Sequence, residues 1–473
     1  MRAAVIGLGV EGKKATKSLL ANDWHVYATD LNPNIDLEDL EIPFSKANFF
    51  RNEDSITISE GRLIVEVGNT DKDTIASSDV VVLSPGLWKT QLAKDIVKSG
   101  KSISDVLTKH KDIFTIGITG TNGKTTTVSM LKDILENAGK KVLVGGNAGG
   151  GFNGYCDIIL EAEKEEYDIL LIEVCDMTLA FCDYCFNFDL VGLTNIGNDH
   201  MNVHGSIENY KNSVIEFSRK KTVFLDKNLP YIDEFKNYNE TFSLNQSDND
   251  LYAVDQNAVN QIGPDSYDVG DLSNISDLSD ADNTIEILEY YEYPNDLKVF
   301  GTFNKLNAGL ANSIAKYLGI DDEIIQDSLE NFEAIDGRLK VYKLNDSKIF
   351  IGKTDNSHAV KSILDEQYFY AIFIGTPRFN EEHRLDILDA VVESNPEVIV
   401  LFPGLDDTVD HAIYRLKSLC YEGRIEVANN LDEIIGFIAE YSHEEAIFIG
   451  GNGQETIIKI QERLSELCDN CSS

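Results

Sequence analysis

The run Gly117-Ile118-Thr119-Gly120-Thr121-Asn122-Gly123-Lys124-Thr125-Thr126-Thr127 holds the residue types that bind a polyphosphate. Glycines let successive backbone N–H groups converge on one anion, and a helix starting there adds the positive end of its dipole. Lys124 has the reach to meet β- and γ-phosphates, and the Thr125 hydroxyl suits Mg2+. Gly120, Thr121, Asn122, Gly123 and Thr126 complete the expected cradle. The usual loop carries one more glycine where this chain has Ile118, so the pattern is a shortened Gly-x-x-Gly-Lys-Thr.

Two more side chains are candidates for the same chemistry. Glu173 ends the run Asp168-Ile169-Leu170-Leu171-Ile172, and His200 closes Asn198-Asp199-His200 after the run Leu190-Val191-Gly192-Leu193-Thr194. Uninterrupted apolar runs fit parallel strands buried on both faces, and such sheets collect ligands at the carboxyl ends of their strands. Glu173 and His200 are therefore expected near the phosphates held at Lys124, as direct or water-mediated Mg2+ ligands. Asn304 and Asn307 stand i, i+3 at the start of a helical stretch reaching Leu318, placed to hydrogen-bond a purine.

The elements that must position these groups follow from pattern. Ile113-Phe114-Thr115-Ile116 reads as the strand before the cradle, and Val128, Met130, Leu131, Ile134 and Leu135 give the helix after it. Upstream, Ala3-Ala4-Val5-Ile6 is a strand and Gly7-Leu8-Gly9-Val10-Glu11-Gly12 a glycine turn opening a helix. A second strand, His25–Thr29, ends at Asp30. This is a dinucleotide fingerprint in which the glycine turn, with Gly9 and Val10, meets a diphosphate and Asp30 takes a ribose or base edge. UDP-linked ligands satisfy the same geometry. Val80–Leu83 is another buried strand, and Ser84-Pro85-Gly86 at its end is where a ligand loop would sit. A helix-like segment around Leu92–Val106 closes this first domain.

Composition bounds the rest. At 473 residues and 42% hydrophobic content the chain is long enough for about three domains. Its net charge of −39 argues against nucleic acid or an anionic membrane as partner. No apolar run reaches the roughly 18 residues of a membrane span, and the N-terminus lacks a signal-peptide layout, so a cytoplasmic protein is expected. Cys182-x-x-Cys185 and Cys468-x-x-Cys471 have zinc-knuckle spacing but read more simply as reduced cysteines. From about Leu244 to Asn295 the chain is acidic and polar, as in loops and short antiparallel strands at a domain edge.

Thr119–Thr125, Gly146-Asn147, Glu173, Asp199-His200 and Gly301-x-Phe-Asn304-x-x-Asn307, in this order, resemble the Mur ligases, ATP-dependent amino-acid ligases of peptidoglycan precursor synthesis. The shortened loop is the normal form in that family. The resemblance implies an α/β protein of three domains: a Rossmann-like UDP-binding domain (1–108), a central ATP-binding domain with a mostly parallel sheet (109–336) and a Rossmann-like amino-acid-binding domain (337–473). It implies ATP and Mg2+ as cofactors, a UDP-linked precursor and a free amino acid as substrates, and a monomer. Asn147 joins the nucleotide site, Thr125, Glu173 and His200 hold metal, and Lys124, His200 and Arg338 act in catalysis, Arg338 reaching ATP phosphate on domain closure. Gly9, Val10, Asp30, Ser84, Pro85 and Gly86 would take the UDP substrate. Arg378, in Thr376-Pro377-Arg378, and Glu455, in Gly450-Gly-Asn-Gly-Gln-Glu455, would take the amino acid.

Two positions depart from the family pattern. A lysine that the family carbamylates to hold a second Mg2+ is Val214 here, with Glu216 the nearest acid that could substitute. Lys353-Thr354-Asp355-Asn356-Ser357-His358-Ala359 stands where the family has an Asp-x-x-x-(Asn/His)-Pro segment. A divergent branch fits best, such as the archaeal enzymes that build the peptide of pseudomurein. The alternatives are a folylpolyglutamate synthase-like or cofactor polyglutamate ligase, a dehydrogenase using the N-terminal fingerprint, and a catalytically silent nucleotide-binding protein.

Overall fold

The computed structural model describes residues 1–40, 48–51, 56–197, 201–226, 231, 235, 242–244, 286–289, 297–443 and 445–471. Among them are three sheets built mainly of parallel strands. The first contains β1 (Arg2–Ile6), β2 (His25–Asp30), β3 (Asn48–Arg51), β4 (Ile56–Glu60), β5 (Leu63–Val67) and β6 (Val80–Leu83), in the order β3-β4-β5-β2-β1-β6. β1 lies between two parallel partners, with Ala3 opposite Val26 on one side and Val80 on the other. All four residues of β6 and the last four of β1 are buried, as their unbroken apolar runs require. The helical reading of Leu92–Val106 is corrected to two helices, Gln91–Ser99 and Ile103–Val106. Gly100 at φ 63° supplies the left-handed residue that ends the first.

The second sheet holds β7 (Phe114–Thr119), β8 (Val142–Gly145), β9 (Ile169–Glu173), β10 (Leu190–Leu193), β11 (Thr222–Leu225), β12 (Phe242–Leu244) and β13 (Glu286–Glu289). Their order is β12-β13-β11-β10-β7-β9-β8, with every described pairing parallel. The antiparallel edge expected near Leu244–Asn295 is thus replaced, where described, by the parallel pair β12 and β13. Most of that acidic stretch lies outside the described residues.

The third sheet comprises β14 (Lys340–Leu344), β15 (Ser347–Ile351), β16 (Ala371–Gly375), β17 (Val398–Phe402), β18 (Arg424–Val427) and β19 (Ile447–Gly451), in the order β14-β15-β19-β16-β17-β18. Only β14 runs antiparallel to its neighbour. Strand alternation divides its core in two. Ile372, Ile374, Ile399, Leu401 and Phe448 pack on one face with helices Ser357–Leu364, Ile387–Glu393 and Val409–Ser418. Phe373, Val398, Val400, Phe402 and Ile449 pack on the other with Leu431–Tyr441 and Gln454–Cys471. Parallel strands need such crossovers, so a sheet covered on both faces is the expected product.

Tertiary contacts divide the chain into two compact units. One comprises Met1–Gly120, Leu135–Thr194 and Asn202–Tyr290, and contains the first two sheets. The other comprises Thr121–Ile134, Asn195–Met201 and Tyr291–Ser473, and contains the third. No helix among the described residues is long and apolar enough to cross a membrane.

Candidate nucleotide and metal site

In the unit that contains the third sheet, the loop Thr121–Lys124 is held by backbone and amide contacts. Thr121 N–H donates to the Asn195 carbonyl (3.0 Å), and Asn122 N–H donates to the Asn195 side chain (3.0 Å). Asn195 Nδ2 returns a bond to the Asn122 carbonyl (2.9 Å), while Thr121 Oγ1 accepts from Gly197 N–H (2.8 Å). Gly123 has φ 87°, and a Cβ there would collide with the Asn307 amide. Only glycine lets that close approach occur. Asn307 in turn donates to Asn304 Oδ1 (3.2 Å), and Asn304 donates to the Phe300 carbonyl (2.7 Å). Both asparagines are buried at the start of helix Thr302–Tyr317, so this pair braces the loop. Lys124 opens helix Lys124–Asn137 and its Nζ donates to the Thr121 carbonyl (2.8 Å).

Two residues from the third-sheet region reach the loop and the helix that follows it. Arg338 donates to Thr125 Oγ1 (2.6 Å). Asn122 and Asn356 exchange side-chain amide bonds (2.9 and 3.3 Å), and Asn356 also caps helix Ser357–Leu364 through Ala359 N–H. Asp355 is paired with Lys353 (3.0 Å) and Arg384 (3.0 Å). Burial alone would raise its carboxyl, but Lys353, Arg384 and Arg338 hold it well below the usual carboxylate range. Arg384, itself buried, also reaches Asn452 Oδ1 (3.4 Å). Of the residues expected to meet an amino acid, Arg378 is exposed near Glu381 (3.8 Å), and Glu455 is exposed and paired with Lys459 (2.6 Å).

In the other unit, Glu173 ends β9 fully buried. Its Oε1 accepts from Asn147 Nδ2 (2.6 Å), whereas Oε2 is buried with no hydrogen-bond partner. A buried carboxylate oxygen left unpaired is costly, and a hard cation is the partner its chemistry favours. Gly146 has φ 112°, and a Cβ there would lie 2.6 Å from the Glu173 carbonyl oxygen, so the loop bearing Asn147 rests directly on the strand end. Among the described residues no group of three His, Cys, Asp or Glu could enclose a metal. Mg2+ keeps waters and phosphate oxygens and takes only one or two protein ligands. Glu173, a single buried carboxylate with one unpaired oxygen, fits that habit. His200 lies outside the described residues, as do Asn198 and Asp199.

Val214 is a fully buried core residue on helix Ile207–Ser218. Glu216 does not replace the missing lysine, because it is exposed and paired with Arg219 (3.1 Å). Two positions along a helix point to nearly opposite sides, which is the physical reason. Cys182 and Cys185 are buried free thiols; burial pushes Cys182 up to about 12 and raises Cys185 as well, a poor setting for metal-binding thiolates.

The first glycine turn sits at the ends of β1 and β6. Gly7 has φ 88°, and a Cβ there would meet Ser84 Cβ at 2.7 Å, while one on Gly12 would run into the Gly7 carbonyl. Gly9 caps helix Val10–Ala21, and Val10 is exposed at its first position. Asp30 Oδ2 accepts from Leu8 N–H (2.7 Å) and Oδ1 from Asn32 N–H (2.8 Å), so this acid shapes the turn. Ser84 N–H bonds the Ile6 carbonyl (2.8 Å), and Pro85–Leu87, including Gly86, forms a short 3-10 turn beside it.

Sequence reasoning missed Asn195, Arg384 and the Asn122–Asn356 pair as parts of the site. Asn195 carried a signal, a polar residue directly after a buried strand. Arg384 carried none.

Residues 118–315 match the Mur ligase middle domain. A UDP-N-acetylmuramoylalanine--D-glutamate ligase of Wolbachia pipientis wMel is 31% identical over 214 residues, covering 44% of this chain and 36% of that protein. The chain spans 36–44% of the length of the first relatives it matches. A pseudomurein peptide ligase type C from Methanothermus fervidus shares the fold at TM-score 0.52 and 18% identity, over 98% of this chain and 99% of that one. MurF from Acinetobacter baumannii does so at TM-score 0.57 and 14% identity, over 99% and 93%. Residues 118–315 thus match a Mur ligase middle domain, and the three sheets share the fold of these solved ligases.

Proposed function

We propose that this protein is an ATP-dependent carboxylate–amine ligase that adds an amino acid to a UDP-linked cell-wall precursor. The observation that carries the reading is the glycine loop itself, gripped by Asn195, Asn307 and Asn356, with Arg338 on the Thr125 hydroxyl. A carboxylate oxygen of the precursor attacks the γ-phosphorus of ATP; the bond to the β-phosphate oxygen breaks, ADP leaves and an acyl phosphate forms. The amino nitrogen of the incoming amino acid then attacks the acyl carbon, phosphate departs and the amine loses a proton.

Charge develops on the transferred phosphoryl oxygens, and Lys124 and Arg338 are the cations this chain supplies to them. Thr125 and Glu173 would hold Mg2+, which neutralises phosphate charge when bound. His200 is assigned to a metal ligand or to deprotonation of the amine. The buried Asn304 and Asn307 set the adenine side, and Asn147 orients Glu173. The first glycine turn, with Ser84–Gly86, takes the UDP moiety. Arg378, whose planar fork matches a carboxylate, and Glu455 take the amino acid. Lysine's absence at Val214 favours a branch apart from the peptidoglycan enzymes, and a pseudomurein-type peptide is the product we assign. The protein would work as a cytoplasmic monomer.

Lys124→Ala should abolish amino-acid-dependent ADP release while UDP binding persists. Ligase activity near wild type in that variant would sink the reading. Screening the twenty amino acids against UDP-linked precursors of both wall types, with ADP release as readout, tests the assignment of product.

A further inference from the structure

Helix Val10–Ala21 starts at the first glycine turn, yet two of its side chains grip a different loop of the same unit. Lys14 Nζ donates to the Phe152 carbonyl (2.7 Å), with the Ala148 carbonyl at 3.5 Å. Glu11 Oε1 accepts from Tyr155 N–H (2.6 Å), and its carboxylate packs against Gly154 where a Cβ would not fit. The gripped segment, residues 146–154, is braced within itself: Phe152 N–H donates to the Asn147 carbonyl (3.3 Å), and Gly146 N–H donates to the Asn153 carbonyl (2.8 Å). Asn147 then holds Glu173 Oε1 (2.6 Å), leaving Oε2 buried and unpartnered.

The geometry points to Lys14 and Glu11 as positioning residues for Glu173, acting through the 146–154 loop and the Asn147 amide. The helix that follows the UDP turn thereby fixes the direction in which the metal-binding carboxylate faces. This rests on the proposed role of Glu173 toward Mg2+. Neither residue touches a reacting atom. A long lysine tied to two backbone carbonyls limits the freedom of a glycine-rich loop that would otherwise sample many conformations. Partners that orient a metal ligand matter nearly as much as the ligand.

The test uses the full chain with Lys14→Met, Lys14→Arg, Asn147→Ala and the double variant Lys14→Met/Asn147→Ala. Mn2+ affinity in the presence of ATP, read by electron paramagnetic resonance without turnover, is compared with the Mg2+ concentration giving half-maximal ADP release. Asn147→Ala should weaken metal affinity by roughly 10-fold or more, and Lys14→Met by roughly 3- to 10-fold. Lys14→Arg should recover most of that loss. The double variant should be no worse than Asn147→Ala alone, because both residues act along one chain of contacts. A merely structural role would lower the melting temperature without shifting metal affinity. Additive losses in the double variant, or unchanged metal affinity in Lys14→Met alongside a clear loss in Asn147→Ala, would overturn the positioning role. Unchanged affinity in both single variants would overturn it together with the assignment of Glu173.

Discussion

Gly123 is tightly constrained within the phosphate loop. Its φ of 87° and the Asn307 amide beside it leave no room for a methyl group. Gly123→Ala is therefore expected to weaken binding of a non-hydrolysable ATP analogue by about 1–3 kcal/mol, measured by titration calorimetry. Unchanged affinity would mean that this loop is not the ATP cradle. Arg338 is held to one atom, Thr125 Oγ1. If it balances charge on the phosphoryl group in transfer, Arg338→Ala should lower kcat by roughly 100-fold, and a lysine should restore little because it lacks the planar fork. Steady-state ADP release at saturating substrates reads this directly. Asp355 belongs to the same scale. As a carboxylate held below its ordinary range by neighbouring cations, it adds stability that is present above its unfolded value of 3.8 and lost as pH falls beneath it.

Among the helices, Val10–Ala21 and Tyr155–Ala162 meet through charged side chains. Ser18 bonds Asp157, and Tyr155 Oη donates to the Leu83 carbonyl (2.7 Å). Burial raises the Glu11 carboxyl from an ordinary 4.5 to about 7; the Asp157 charge adds to this, while Tyr155 N–H and Lys14 oppose it. The folded chain then binds this proton more tightly than the unfolded one. Its contribution to stability is complete below pH 4.5 and is lost as pH rises through about 7. Glu11→Gln removes that dependence while keeping an acceptor for Tyr155. Relative to wild type, the variant should gain up to about 3 kcal/mol between about pH 5 and pH 8, measured by urea unfolding. Parallel profiles would show that Glu11 does not titrate in this range.

These elements were unequally legible in the sequence. Strands such as β6, β9 and β10 are readable because burial on both faces demands an unbroken apolar run. The two glycine turns are readable because left-handed backbone and close approach restrict the residue type at fixed offsets. The amide pair Asn122–Asn356 joins residues 234 positions apart, and Asn195 grips a loop 73 positions upstream. Such contacts leave no local periodicity. The break at Gly100 was missed because the apolar spacing continues across it, while one glycine in the left-handed region is enough to end a helix.

Across the whole molecule, 80 acidic residues face 41 basic ones. Self-repulsion on that scale destabilises the compact state, and salt screens it. Raising NaCl from about 20 to 200 mM should lift the melting temperature by roughly 2–4 °C, the shift that about 1 kcal/mol brings in domains of this size. A falling melting temperature would mean that favourable ion pairs dominate instead.

Around Asp355 stand Lys353, Arg384 and Arg338, with Glu381 also beside Arg384, three cations to two carboxylates. On a chain carrying 39 surplus negative charges, this is a small electropositive well in a repulsive field. A polyphosphate approaching from solution is pushed away at long range and drawn in only within the screening length, about 8 Å at physiological ionic strength. Its capture is then limited by crossing that repulsive halo. Unlike an electrostatically steered pair, the encounter should become faster as salt is added, a reversal that stopped-flow mixing with a fluorescent ATP analogue would reveal.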